Sequence, residues 1–396
     1  MRGSLVSACL LNICAGVAIA QSTVAYVYVA EDRPSATATS PISVYSATST
    51  GKLAQISGSP FKQTSGTMSG TNGSHFITVD QNFTTTHQYL HVYNVASNGV
   101  IGSQVSKYDL HNWCEMDQGA EFDHTGQYVY VLDAQSCGEK YQSFSLSKSG
   151  YLTFKGSLAL PNGGPYYQKL PVFSGNDKFA YTQISNDASD TPCPTTSLIG
   201  MGRESSGALE RIGFSETGPT PPAGFITSQT GLLTNDPTNH LASVVEFQDG
   251  PCGESGIQQR LASYTIETNG NLVSTNTWDK MPLLGASGVG LDMKLNPAGN
   301  ILAVAIATGV QFFHFNGAGE ITSFTGIIGS SGYISTMSWD KSNHLYALNG
   351  RSGKLHVYTA TTSKVVEASG SPYVPPNNCT STAGCPFQKL IVRSVP

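Results

Sequence analysis

The chain has 396 residues, only 12 % of them charged, with a formal net charge of −5 and 42 glycines. That length admits two ordinary domains or one large all-β domain. The absence of a basic patch argues against a nucleic-acid partner. The low charge does not signal disorder, because short apolar runs recur regularly from residue 23 to the end.

The chain opens on "MRGSLVSACLLNICAGVAIA", with one Arg, an apolar stretch and Ala18-Ile19-Ala20 before Gln21. This reads as a secretory signal peptide over residues 1–20 with an A-x-A cleavage site. It predicts a secreted protein, extracellular or, in a bacterium, periplasmic. A lipid anchor fits less well, since Cys9 stands too early and Cys14 follows Asn12-Ile13. No later segment approaches the roughly 20 apolar residues of a membrane-spanning helix, so no membrane partner is expected.

From residue 23 one pattern repeats, and repeats decide architecture. A turn followed by an apolar-led strand occurs at "STGKLAQI" (49–56), "SNGVIGSQ" (97–104), "KSGYLTFK" (148–155), "SSGALERI" (205–212), "TNGNLVST" (268–275) and "GAGEITSF" (317–324). A seventh copy without glycine, "TTSKVVEA", occupies 361–368. Glycine supplies the positive φ that such a tight turn needs. Upstream of most turns lies a strand of period two ending on an aromatic, such as "ISVY", "LHVY" or "VQFF". Further upstream comes another strand ("HTGQYVYVLD", "AGNILAVAI") and, before it, an inner one ("GAEFD", "DMKLN", "TMSWD"). Four strands per unit and seven units spaced by roughly 45–63 residues predict an all-β, seven-bladed β-propeller over residues 21–396 as a single domain.

The first unit begins at Thr23 with "TVAYVYVAE" and lacks an inner strand. The C-terminal "FQKLIVRSV" matches the inner strand of the fourth unit, "YYQKLPVFS". The last strand should therefore complete blade 1 and close the ring, leaving no unpaired edge at the seam.

Six cysteines follow the leader, an even number that suggests disulfides in a secreted chain. The repeat favours Cys114–Cys137, Cys193–Cys252 and Cys379–Cys385, with the second pair linking long insertions in the same loop of neighbouring blades. Sequons at Asn72, Asn82 and Asn378 would be glycosylation sites in a glycosylating host. No cofactor is implied, no metal signature is present, and a monomer is expected.

The motifs "FDHTGQYVYVLD", "ISVY" and "TGKL" resemble the lactonase family of seven-bladed propellers, which includes proteins like bacterial 6-phosphogluconolactonase and fungal carboxymuconate-lactonizing enzymes. The resemblance spans nearly the whole mature chain. It implies a site on the top face, at the channel mouth, using His, Arg and Glu side chains. No position here matches those groups residue by residue.

Removing what repeats leaves the candidates. His75, His240 and His344 share one turn position, and His91 and His356 share one strand position; repetition marks them as structural. His124 falls in a turn on the opposite face. His111 lies in a blade-to-blade loop beside Trp113, Glu115 and Asp117, where an imidazole near two carboxylates could serve acid/base chemistry. Asp80, Asp133 and Glu246, with Glu31 and Asn349, recur at strand ends facing the top rim and could bind a cation or hydrogen-bond sugar hydroxyls. Lys169 and Lys389 begin the inner strands of opposite blades and could clamp a carboxylate, with Tyr166, Tyr167 and Phe387 as stacking surface. Alternation equally allows Gln168 and Gln388 to face inward. Two functions remain open: a lactone hydrolase or lactonizing enzyme acting on a small sugar-derived or carboxylated compound, and a non-catalytic propeller binding a glycan, peptide or protein.

Overall fold

The computed structural model describes residues 22–30, 41–62, 67–79, 88–110, 119–133, 140–161, 170–185, 196–216, 218–249, 256–285, 290–329, 332–376 and 389–395. The strands form seven separate antiparallel sheets, each with a four-strand meander in which neighbours in the chain are neighbours in the sheet. The one helix among the described residues is a single 3-10 turn, Trp278–Lys280. No helix there is long and apolar enough to cross a membrane.

Blade 1 is the exception in connectivity. Its inner strand is Lys389–Ser394, paired antiparallel with Thr23–Ala30 in the register Tyr28↔Ile391, and Pro41–Thr48 and Leu53–Gln55 follow outward. The C-terminal strand thus closes the ring. Alternation explains why the closure holds. Ala25, Val27, Val29 and Leu390 pack in one cluster with Tyr346, Leu348 and Val357 of blade 7. Tyr26, Tyr28 and Ala30 pack in another with Phe76 and Tyr93 of blade 2. A strand apolar on both faces is what a sheet sandwiched between two others requires.

The fourth unit, degenerate in sequence, still forms a complete strand at Thr196–Arg203. Its glycines have a packing reason: a Cβ on Gly200 would lie 2.7 Å from Ile212 Cδ1, so the neighbouring strand's side chain fills the space.

The repeated turn glycine is a latch between blades. A Cβ on Gly51 of blade 1 would lie 3.2 Å from His344 Cδ2 of blade 7; in blade 6 the contact shifts to Gly317, two residues before the repeated glycine, where a Cβ would lie 3.0 Å from His240 Cε1 of blade 5. Gly99 meets Tyr26, Gly150 meets His75, Gly207 meets Tyr128 and Gly270 meets Phe179 in the same way. Each of these hairpins therefore presses bare backbone against a ring at or near the start of the second strand of the preceding blade. Three tyrosines two residues further along complete the contact by donating to the glycine carbonyl: Tyr28 to Gly99, Tyr130 to Gly207 and Tyr181 to Gly270.

This explains the repeated histidines. His344 is 1 % exposed, with Nδ1 2.8 Å from Asp340 Oδ2. His240 makes the same contact with Asp236 at 2.8 Å. Burial pushes the His75 imidazole below its ordinary value, which favours the neutral ring. His91 and His356 are satisfied by Gln104 Oε1 at 2.9 Å and Glu367 Oε1 at 2.8 Å.

Candidate functional site

The inner strands of five blades enclose a cavity of about 480 Å³ on the ring axis. Its wall includes Thr71 of blade 2, Glu121 of blade 3, Val172 and Phe173 of blade 4, Gly231 to Asn235 of blade 5 and Lys294 of blade 6. The volume suits a small molecule. Asp123 and His124 line its lower end, where the turns between inner and second strands emerge.

Two charged side chains stand out in this wall. Glu121 alternates with Ala120 and Phe122, which pack into the blade 2–3 core. Lys294 likewise alternates with Met293 and Leu295 in the blade 5–6 core. In each case period-two alternation sends the charged side chain away from that core and toward the axis. Both are enclosed by blades but retain contact with channel solvent; the Lys294 side chain is 45 % exposed.

Their electrostatics are coupled. Burial raises the Glu121 carboxyl above its usual range, only partly countered by Lys294, the Phe122 N–H, His124 and Lys389. The Lys294 ammonium is held above its usual value chiefly by Asp292, against the pull of burial and with help from Glu121. Asp292 Oδ1 lies 3.5 Å from Lys294 Nζ, and its Oδ2 accepts from the Met337 N–H of blade 7 at 2.6 Å. The cavity wall thus carries an ammonium group, partnered by Asp292, and a solvent-accessible carboxyl that is easier to protonate than usual. One group can stabilise negative charge and the other can move a proton.

The wall at blade 5 is shaped by a bulge. Gln229 pairs Val245 and Leu233 pairs Ser243, so Thr230, Gly231 and Leu232 face a single residue of the partner. Gly231 has φ +71°, and a Cβ there would run into the Gln183 amide oxygen. Bulges of this kind re-aim a strand next to a site.

At the lower end, His124 Nδ1 lies 2.7 Å from Asp177 Oδ1, which also accepts the His124 backbone N–H at 3.1 Å. Asp177 belongs to the corresponding turn of blade 4, so the pair bridges two blades. The hydrogen bond to Asp177 raises the imidazole above its ordinary value, against desolvation, with Asp123 and Glu121 adding to the effect. Burial would raise the Asp177 carboxyl, but the hydrogen bonds from His124 outweigh it and the net shift is downward.

Of the residues picked out from sequence, His111, Trp113, Glu115, Asp117, Tyr166, Tyr167, Lys169, Phe387 and Asp80 lie outside the described residues, as do residues 1–21, the six cysteines Cys114, Cys137, Cys193, Cys252, Cys379 and Cys385, and Asn82 and Asn378. Asp133 ends a described strand, Tyr128–Asp133, but its side chain is outside the description. Lys389 begins the closing strand, and its charge reaches Glu121. Glu246 accepts from Gln248 Nε2 at 2.7 Å and Gln259 Nε2 at 3.1 Å, and Asn349 caps a turn through the Arg351 and Ser352 N–H groups. Both thus make local bonds. Asn72 caps its own turn and donates Nδ2 to Gly126 O at 2.9 Å, so in the folded ring its amide nitrogen is already engaged.

Sequence reasoning passed over Glu121, Lys294 and His124. The first two stood inside the quoted inner strands "GAEFD" and "DMKLN" as architecture. The available signal was a charge flanked by apolar residues in an inner strand.

No family model and no curated protein matches this chain. Solved structures do. A protein from Lactobacillus plantarum covers 95 % of this chain and 100 % of its own, with a TM-score of 0.60 and 12 % identity. A candidate 6-phosphogluconolactonase from Bacteroides uniformis covers 92 % and 99 %, with a TM-score of 0.60 and 12 % identity. A protein of unknown function from Desulfotomaculum acetoxidans covers 87 % and 95 %, with a TM-score of 0.53 and 16 % identity. At these identities the likeness establishes the fold, a β-propeller, and fold alone does not carry chemistry.

Proposed function

We propose that the chain is a secreted lactonase-like propeller that takes a small sugar-derived or carboxylated compound into its axial channel and opens a lactone there. The observation that carries this reading is the pairing of Glu121 with Lys294 in one small-molecule-sized cavity. Lys294, with Lys389 of the closing strand adding positive charge, stabilises the oxyanion that develops on the lactone carbonyl. Glu121 is the general base. It takes a proton from water as the water oxygen attacks the carbonyl carbon. The ring C–O bond then breaks and the departing ring oxygen receives that proton, giving a hydroxy acid. His111, Glu115, Asp117 and Trp113, together with Tyr166, Tyr167, Lys169, Phe387, Asp80 and Asp133, would form the upper mouth through which the ligand enters.

The test is acid release from sugar lactones, carboxylated lactones and simple γ- and δ-lactones, with wild type beside Glu121→Gln and His111→Ala. Loss of a general base should cost about 100-fold or more in kcat in Glu121→Gln with the fold intact. Turnover lost only in His111→Ala would move the base to the upper mouth. No turnover of any lactone by wild type would overturn hydrolysis and leave a binding propeller.

A further inference from the structure

The lower mouth of the channel has a different construction from its wall. His124 is clamped from the neighbouring blade: the Asp177 carboxylate holds both its ring Nδ1 and its backbone N–H. A carboxylate on Nδ1 fixes the ring's orientation and places a proton on that nitrogen. Nε2 has no hydrogen-bond partner among the described residues, and the ring lines the cavity while remaining 49 % exposed.

The surroundings are balanced in charge. Arg203 stands beside Asp123, with Nη1 3.9 Å from Oδ2, and donates Nε to the Asp177 carbonyl at 2.6 Å. From its own blade His124 faces Asp123 and Glu121, and from blade 4 it faces Asp177. Lys294 lines the same cavity from blade 6. Among the described residues that line this end, the His124 imidazole thus offers a ring nitrogen open to a ligand.

We propose that the lower mouth is a carboxylate-binding subsite, in which His124, positioned by Asp177, donates from Nε2 to the carboxylate of a hydroxy acid whose hydroxyls extend toward Glu121 and Lys294. This deepens the channel reading given above and rests on it for the ligand class. It gives the channel a second, pH-dependent opening on the face opposite the upper mouth. Occupancy falls as pH rises and the imidazolium loses its proton.

The probe is D-gluconate, with sorbitol as the uncharged control, followed by NMR of histidine-labelled full-length protein. The His124 resonance is assigned by its loss in His124→Gln. Wild-type His124 should titrate above the ordinary histidine value, gluconate should move that titration further upward, and sorbitol should leave it unchanged. Gluconate affinity should fall about tenfold once the imidazolium is neutral, the loss of one charge-assisted hydrogen bond. Asp177→Asn removes the anchoring charge and should return the His124 titration to its ordinary value. This variant keeps the backbone, because asparagine tolerates the φ of +56° at that position. Lys294→Met should weaken gluconate binding without abolishing the His124 response to Asp177→Asn.

A His124 titration indifferent to gluconate overturns the subsite, even if lactones are hydrolysed. A gluconate-linked shift in a protein that turns over no lactone leaves the subsite standing while the hydrolase reading falls. An equal shift with sorbitol overturns carboxylate recognition.

Discussion

Two histidines in this ring carry the same contact and serve different ends. His344 of blade 7 sits 2.8 Å from Asp340, is 1 % exposed and lies under the Gly51 hairpin of blade 1. His124 of blade 3 sits 2.7 Å from Asp177 but lines the channel mouth, half in solvent. In the first pair both partners belong to one turn, four residues apart, and repeat as Asp236 and His240 in blade 5. In the second the partners come from different blades. The local pair supports architecture, whereas the pair between blades leaves a ring nitrogen facing a cavity. An Asp–His contact is therefore not diagnostic by itself; what covers the second nitrogen decides.

The harshest way to break this contrast is to remove the seam on which His344 lies. Deleting residues 386–396 strips the inner strand from blade 1, exposing the backbone of Tyr26–Ala30 and two apolar clusters that span blades 7, 1 and 2. Soluble folded protein should be lost; a cooperative thermal melt from the truncated chain would show that the ring does not need its closure.

The next test compares the two histidines directly. His344→Ala leaves the Asp340 carboxylate buried with one partner fewer and a void beneath Gly51, and should cost about 3 kcal/mol. His124→Ala, at a solvent-facing contact, should cost within about 1 kcal/mol. Urea melts of both variants would check this, and equal losses would remove the distinction between latch and mouth.

The smallest effect concerns pH. The raised His124 titration stabilises the fold fully below the ordinary histidine value and is lost as pH rises through the folded value. The lowered Asp177 titration stabilises above the ordinary carboxylate value and is lost as pH falls through the folded value. The pair thus contributes most between about pH 4 and pH 6.5. The stability difference between wild type and Asp177→Asn should peak in that window and shrink at alkaline pH, by a fraction of a kcal/mol because His124 is half exposed. A difference flat with pH would mean that the pair carries no linked protonation.

The architecture was legible because it is written seven times. A turn glycine recurs in six blades, and in most of them it proves to be half of a contact with a ring near the start of the neighbouring blade's second strand. Ring closure was legible from a single match, Lys389-Leu390 against Lys169-Leu170. The site was harder to read for the same reason. Glu121 and Lys294 occupy positions that Ser338 and Thr234 fill in other blades, so one residue departs from an otherwise regular strand. A charge between two core residues costs free energy unless it faces water or a partner, and that cost was the clue. His124 was discounted because its turn lies on the face away from the expected mouth, and nothing in the local sequence shows that a turn 53 residues later supplies its carboxylate.

The latch also has a variant. The outer turn of blade 7 runs through Ser363 where six other blades have glycine, and that hairpin meets the start of the second strand of blade 6 through side chains instead, with Ala360 and Val365 packed in one cluster with Ile301. That seam is also fastened at the hub: Met337 N–H to Asp292, Trp339 Nε1 to the Lys294 carbonyl at 3.1 Å, and Asn296 Nδ2 to Asn343 at 2.9 Å. Asp292 is thus both the counter-ion of the channel lysine and a rivet between two blades. A guest that draws Lys294 away from Asp292 therefore also tugs on the joint between blades 6 and 7.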